Sequence, residues 1–491
     1  MSVKDRRKAA TETRAIIDIG SNTVRMVIYG GPRRAPEVLH NEKVTARLGK
    51  GVAETGLLTG KASGQALAAL ARYRTLLSLK GVEQVEVVAT AAVRDARNGE
   101  AFLDKVRAMG FAPRLLSGEG EALTSAHGVL GAFPRAKGIV GDLGGGSLEL
   151  IDATPDGCTH GVSLPLGTLR LPAMRAAGER AFSQSIANAL AKADWQFEQG
   201  QTLYLVGGSL RAFARFAMAK LEWPVDDPHG FELAATDAAR IAAALAKRKP
   251  ETLPPLFGVS GSRLAALPDT AALLGVLIRK LQPARLVFSA WGLREGLLCE
   301  GMPELVLGQD PLVAGAAAFA ADYGISSQTA AMVTGWTSAA SLADGSERRE
   351  RLRLSATMLC LASATVEPNL RADLARDWAL RKRWVGANAR DRGMLAAAMI
   401  ANAGRLETPP EFERLISAGQ LREAQAWGLA TRLCRRFSGA TTDGLSGSAL
   451  SRQDGALVLT VQPHLSTLVN EGVERDLKAL ATHLGLRSEV A

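Results

Sequence analysis

Hydrophobic positions along this chain follow two periods. Short β-branched runs bounded by Gly, Ser, Asn or Pro alternate with longer stretches whose apolar residues recur every three or four positions. "AIIDIGSNTVRMVIYG" (15–30) predicts strand, tight turn, strand, with Gly-Ser-Asn as the punctuation. "GQALAALARYRTLLSLKG" (64–81) predicts a helix closing on glycine, "VEVVAT" (85–90) a strand, and "NGEAFLDKVRAMG" (98–110) a second helix. "PRLLSG" (113–118) predicts a strand, and a helix follows over 119–133. Such alternation is the pattern of an α/β fold. Beyond about residue 305 the chain becomes Ala- and Arg-rich and predominantly helical in period. "GALVLTVQP" (455–463) there predicts a strand, with a last helix from about 467.

One pattern occurs twice. "IIDIGSNTVRMVI" (16–28) lies over "IVGDLGGGSLELI" (139–151) with Asp18 on Asp142, Gly20 on Gly144 and Thr23 on Ser147. Both copies read D-x-G-x-x-[TS] between two apolar strands. The offset of 124 residues is a domain duplication, because solenoid repeats have periods of about 20–50. The expected organisation is a basic disordered tail over 1–11, two related α/β halves over 12–137 and 138–305 with a cleft between them, and a helical region over 306–491.

Composition narrows this only slightly. With 491 residues, 47% hydrophobic and 22% charged, the chain has ordinary globular character. Its net charge of +10 favours anionic partners. Four scattered cysteines, with no C-x-x-C pair, argue against a zinc knuckle or a disulfide framework, and a reducing cytoplasm is the simplest expected setting. The first residues lack the apolar core of a signal peptide, and no apolar run is long enough to span a bilayer.

The turns suggest chemistry. Glycines without Cβ atoms let a phosphate approach consecutive backbone N–H groups, and Thr23 and Ser147 add hydroxyl donors. An aspartate at the head of such a turn repels phosphate unless a divalent cation lies between them. Mg²⁺ favours one or two carboxylates with phosphate oxygens and water, which makes Asp142 and Glu149 candidate ligands. A lone G-G-G would be an ordinary hairpin capped by Asp142, and it is the duplication that argues for function.

The two turns resemble the phosphate loops of the actin, Hsp70 and sugar-kinase ATPase superfamily. Within it, "IDIGSNTVRMVIY", "RLGKGVAETGLLT", "ATAAVRDARNGEAF", "LLSGEGEA", "GDLGGGSLEL", "LVGGSLRAFAR" and "SAWGLREGLL" resemble, in order, signatures of the exopolyphosphatase and guanosine pentaphosphate phosphohydrolase family. The resemblance implies two RNase H-like domains flanking a cleft. It also implies removal of a terminal phosphoryl group from inorganic polyphosphate, or of the 5′ γ-phosphate from guanosine pentaphosphate, with Mg²⁺ as cofactor. Mn²⁺ or K⁺ as further ions stay open.

Residue by residue, the family's S-G-x-E-E-A segment reads "SGEGEA" here, so that its catalytic glutamate falls on Glu121 and the preceding one is replaced by Gly120. Glu121 is then the base or water-orienting group, and Glu119 faces elsewhere. Asp142 and Glu149 match the metal-side acids, with Asp18 a water-mediated ligand. Ser21, Asn22 and Thr23 match the first phosphate loop, and Gly144, Gly145, Gly146 and Ser147 the second. Arg94 matches an arginine expected at polyphosphate oxygens, its alternative being a salt bridge to Asp95 or another acid. Gly208, Ser209 and Arg211 occupy the adenosine-loop position, where nucleotide, a distal phosphate or nothing is bound.

Longer members carry an HD-type helical domain. None of the six histidines lies between 305 and 455, and "CLASATVEPN" (360–369) stands where H-D-[IV]-G would be expected, so an HD-like fold without its metal residues is anticipated. Basic runs at 371–384 and 431–437 suggest a lane for polyphosphate that would support processive cleavage, or else a solvated face. A homodimer through the C-terminal helices is expected, and neither a nucleic-acid nor a membrane partner. A phosphotransferase passing phosphate to a nucleotide, a chaperone-like or filament ATPase, a sugar kinase, and an inactive sensor are the competing readings.

Overall fold

The computed structural model describes residues 13–341 and 345–491. The tail expected over 1–11 lies outside the described residues. The chain forms two compact units, one of residues up to 222 and 228–308, the other of Trp223–Asp227 and Gln309–Ala491.

The first unit holds two sheets. Strands β1 (Arg14–Ile19), β2 (Val24–Gly30), β3 (Glu37–Val44), β4 (Gln84–Ala89) and β5 (Pro113–Leu115) pair in the order β3-β2-β1-β4-β5. Strands β6 (Gly138–Leu143), β7 (Leu148–Thr154), β8 (Gly157–Leu164), β9 (Thr202–Val206), β10 (Phe231–Ala234) and β11 (Arg285–Phe288) pair in the order β10-β11-β9-β6-β7-β8. The duplication extends to topology. In each half the first hairpin is antiparallel, and its opening strand, β1 or β6, then pairs in parallel with the strand that returns after a helix, β4 or β9. Ile17, Ile19 and Met26 are buried on one face of the first hairpin and Ile16 and Val27 on the other, as the near-continuous apolar runs require of strands covered on both faces.

Helices Gly60–Leu79 and Gly99–Ala108 agree with the spacing of the sequence. The strand expected over 113–118 stops at Leu115, because Ser117 turns away to cap helix Gly118–Ala132, its hydroxyl accepting from Gly120 N at 3.0 Å.

In the second unit, helices Glu347–Ala362, Ala389–Asn402 and Ala418–Ser438 build a common apolar core with Trp384, Met394 and Trp427. This region also carries a small sheet, β12 (Ser448–Gln453), β13 (Ala456–Val461) and β14 (Arg487–Val490), of which only β13 is evident from its apolar run. The last helix begins at Glu471, after a 3₁₀ segment over Pro463–Leu468. Trp223–Asp227 joins this unit because Val225 is buried in its core and Asp227 is forked by Arg383 at 2.7 and 2.8 Å and bonded by Arg392 at 3.1 Å.

Candidate active site

The two turns are built alike. Gly20 N donates to Thr23 O at 3.0 Å in the first, and Gly144 N to Ser147 O at 3.0 Å in the second. Each turn's carbonyls are covered by a later segment of its own half. Ser21 O accepts from Gly49 N and Asn22 O from Arg47 N, while Gly144, Gly145 and Gly146 carbonyls accept from Thr168, Leu169 and Gly167 amides. With the carbonyls so occupied, the Gly145 and Gly146 amides make no hydrogen bond among the described residues and remain available to an anion. The turns also meet: a Cβ on Gly146 would stand 2.7 Å from Ser21 Oγ, and one on Gly145 3.2 Å from Asn22 N. A side chain at either position would have to push Ser21 or Asn22 aside, and glycine makes the approach without that displacement.

Between and behind the turns lies a cavity of about 970 Å³ lined by Asp18, Ser21, Asn22, Thr23, Glu121, Asp142, the Gly144–Ser147 turn, Gly208, Ser209 and Arg211, among others. These candidates from distant parts of the sequence thus share one space. Glu149 and Arg94 are not among the residues that line it.

Four carboxylates gather here. Glu121, in the first turn of helix Gly118–Ala132, is buried, and burial pushes its carboxyl up to about 7, against the pull of Arg94 and with the help of the Asp142 and Asp18 charges. Arg94 Nη1 holds it at 3.2 Å and also donates to Leu116 O at 3.0 Å. Asp142 accepts from Ser125 Oγ at 2.5 Å, and burial raises its carboxyl above the usual range. Glu149 accepts from Ser163 Oγ at 2.8 Å and is raised well above that range, first by burial and then by the Glu121 and Asp142 charges. Asp18 is raised by burial too, with Arg294 and Arg25 opposing. Arg94, expected at substrate oxygens, is committed in this structure to Glu121, with Asp95 3.5 Å from its Nε.

No group of three or more His, Cys, Asp or Glu encloses a metal among the described residues. The donor set nevertheless suits a hard cation. Asp142 and Glu149 are direct cross-strand partners of β6 and β7, so their side chains leave the same face of the sheet. Mg²⁺ needs no more protein oxygens than these when phosphate and water complete its shell.

Four cations of the cavity wall escaped the sequence reading. Arg25, Lys43, Arg263 and Arg294 repel one another: burial and the Arg294 charge bring Arg25 down to about 10, and burial with the Arg263 and Arg25 charges lowers Lys43. Arg294 Nε is buried with no hydrogen-bond partner. Arg25 carried a readable signal, since it occupies in the first repeat the position of Glu149 in the second, and it faces Asp18 across β1 and β2. Arg263 had none. It reaches the wall from a distant helix, its guanidinium 2.5 Å from where a Gly208 Cβ would be.

Two duplicated sheets that bring paired phosphate-type turns to one cavity define an actin-like ATPase-type fold. Residues 27–305 match the model of the Ppx/GppA phosphatase family, and the chain belongs to that family. It is 36% identical over 149 residues to exopolyphosphatase 2 of Mycobacterium tuberculosis, covering 28% of this chain and 47% of that protein. It is 26% identical over 345 residues to retrograde regulation protein 2 of Saccharomyces cerevisiae, covering 61% and 57%. A crystal structure of an exopolyphosphatase from Cytophaga hutchinsonii shares the fold at a TM-score of 0.52 and 23% identity, over 60% of this chain and 100% of that one. The chain spans about half the length of the curated relatives it matches. No helix of the described residues is long and apolar enough to cross a membrane.

Proposed function

We propose that the chain is an exopolyphosphatase, hydrolysing the terminal phosphoanhydride bond of inorganic polyphosphate. The observation that carries this reading is the place of Glu121. A buried carboxylate with its pKa near 7 lines the same cavity as two amide- and hydroxyl-bearing turns. The turns would cradle the terminal phosphoryl group through the Gly145 and Gly146 amides and the Ser21, Thr23 and Ser147 hydroxyls. Glu121 would orient a water in line with phosphorus and accept its proton, while the displaced phosphate leaves with the electron pair of the broken P–O bond. Arg94 positions Glu121 and keeps a fraction of it ionised near neutrality. Asp142 and Glu149, with Asp18 through water, are the residues that would hold Mg²⁺. The ion would neutralise charge on the phosphate oxygens.

Two features favour polyphosphate over guanosine pentaphosphate or a nucleotide acceptor. The cationic group of Arg25, Lys43, Arg263 and Arg294 supports a polyanion extending from the turns. The described residues lining the cavity include no aromatic side chain on which a base would stack. Phosphate release from long polyphosphate and from guanosine pentaphosphate, measured side by side with Mg²⁺, tests the reading. Faster release from the pentaphosphate overturns the substrate assignment, and release from neither overturns the activity.

A further inference from the structure

Glu121 and the Gly144–Ser147 turn come from different halves of the first unit. Their relative placement matters, because a misplacement of about 1 Å can cost roughly a hundredfold in rate. A row of charged side chains spans the two. Arg94 Nη1 holds Glu121 at 3.2 Å. Arg94 Nε lies 3.5 Å from one oxygen of Asp95, and the other oxygen of Asp95 lies 3.6 Å from Arg170 Nη2. Arg170 Nε donates to the carbonyl of Gly146 at 3.0 Å. One carboxylate thus turns each of its oxygens to a different guanidinium, the first engaged with Glu121 and the second with the turn.

Both ends of this row are well anchored. Gly167, Thr168 and Leu169 donate their amides to the Gly146, Gly144 and Gly145 carbonyls, so Arg170 completes a strip of four residues laid along the turn. Holding the Gly146 carbonyl fixes the plane of the Gly146–Ser147 peptide, and with it the direction of the Ser147 amide. Asp95 closes helix Ala91–Arg94, and Ala91 of that helix packs on the turn: a Cβ on Gly146 would stand 3.1 Å from Ala91 Cβ. Arg170 lines the cavity, where an anionic substrate would compete for its guanidinium, and Asp95 does not. Asp95 borders instead a separate small space shared with Ser21, Ala91, Gly146 and Arg170. It is therefore placed to act through the two arginines rather than on substrate. Separations of 3.5 and 3.6 Å are ion pairs rather than hydrogen bonds, so the link depends on the charge of Asp95.

We propose that Asp95 is a positioning residue, which through Arg94 on one side and Arg170 on the other sets Glu121 against the Gly144–Ser147 turn. What this alignment serves rests on the exopolyphosphatase reading, and the link itself does not.

Hydrogen–deuterium exchange on the full chain, wild type against Asp95→Asn, tests the link without reference to activity. The Asp95 side chain is 42% exposed, so the substitution buries no unpaired charge and is expected to leave folding intact. Peptides covering 144–150 and 166–171, which share the bonds between turn and strip, are expected to exchange at least about twofold faster in Asp95→Asn. A purely local role would change only the peptide covering 91–98. Phosphate release from polyphosphate then reads the consequence. Asp95→Asn is expected to lower kcat about fivefold with KM within about twofold, because the binding groups remain and their alignment with Glu121 is lost. Asp95→Glu, which keeps the charge, is expected to stay within about twofold of wild type. On an Arg170→Gln background, where the link is already cut, Asp95→Asn is expected to change kcat by less than about twofold. Faster exchange confined to 91–98, unchanged exchange, a change in KM alone, Asp95→Glu no better than Asp95→Asn, or a full fivefold loss repeated on Arg170→Gln would each overturn the proposal. An absence of phosphate release from wild type would overturn the functional reading, and the exchange comparison would then decide the link by itself.

Discussion

Across the first hairpin Asp18 faces Arg25, and across the second Asp142 faces Glu149. The backbone is the same in both, down to the 3.0 Å bond that closes each turn. The charge is not. A carboxylate beside a guanidinium is nearly neutral as a pair and tolerates an anion directly. Two buried carboxylates on one face repel each other and an anion alike, and require a cation between. On the proposed reading, a single duplicated device has therefore diverged into an anion-holding half and a metal-holding half through one position of the repeat. The stereochemistry of the turn was retained and the electrostatics changed.

Removing a carboxylate from the second hairpin is expected to do the most damage. Asp142→Asn should lower kcat by about 10³-fold, roughly 4 kcal/mol, and raise the Mg²⁺ concentration for half-activity. Asp18→Asn should cost less than a tenth of that loss. Equal losses, followed by phosphate release over a Mg²⁺ titration, would erase the distinction between the hairpins.

Stability offers a second test. Glu121 has a folded pKa of about 7 against an ordinary 4.5, so its folded form is favoured by protonation. That contribution is fully present below about 4.5 and is lost as pH rises through 7. Glu121→Gln should therefore stabilise the chain at pH 8 by on the order of 3 kcal/mol and change little at pH 4. Denaturant melts at the two pH values check the sign.

The smallest expected effect falls on the first hairpin. Arg25→Gln should raise KM for polyphosphate about tenfold, near 1.4 kcal/mol, with kcat almost unchanged and with a weaker dependence on salt. A fall in kcat with KM intact would place Arg25 in the chemistry instead.

Much of this was legible in the sequence because turns and strands are local. The repeat announced both hairpins, and Glu121, Asp142 and the Gly144–Ser147 turn do line one cavity. What was hidden is assembled from distance. Arg263 and Arg294 belong to separate helices and join Arg25 and Lys43 only when the chain folds. For Arg94 the sequence left substrate and a salt bridge both open, and the acid it meets, Glu121, lies 27 residues on. Strands β12 and β14 flank β13 and are largely polar and exposed, so no apolar run marks them. Trp223–Asp227 belongs to the second unit through Asp227 and two arginines more than 150 residues away, a pairing no periodicity encodes.

The most direct test of the central claim is the pH dependence of phosphate release from polyphosphate, for wild type and Glu121→Gln at saturating Mg²⁺. A base must be ionised, so the wild-type rate is predicted to rise with pH and then to level, with its bend at or below about 7, because Mg²⁺ held by Asp142 and Glu149 offsets the carboxylate charges that help burial raise Glu121. Glu121→Gln is predicted to lose at least about 10²-fold in rate and to lose the bend. A Gln variant that keeps the same inflection, or releases phosphate as fast as wild type, would contradict the assignment of Glu121 as the group that activates water.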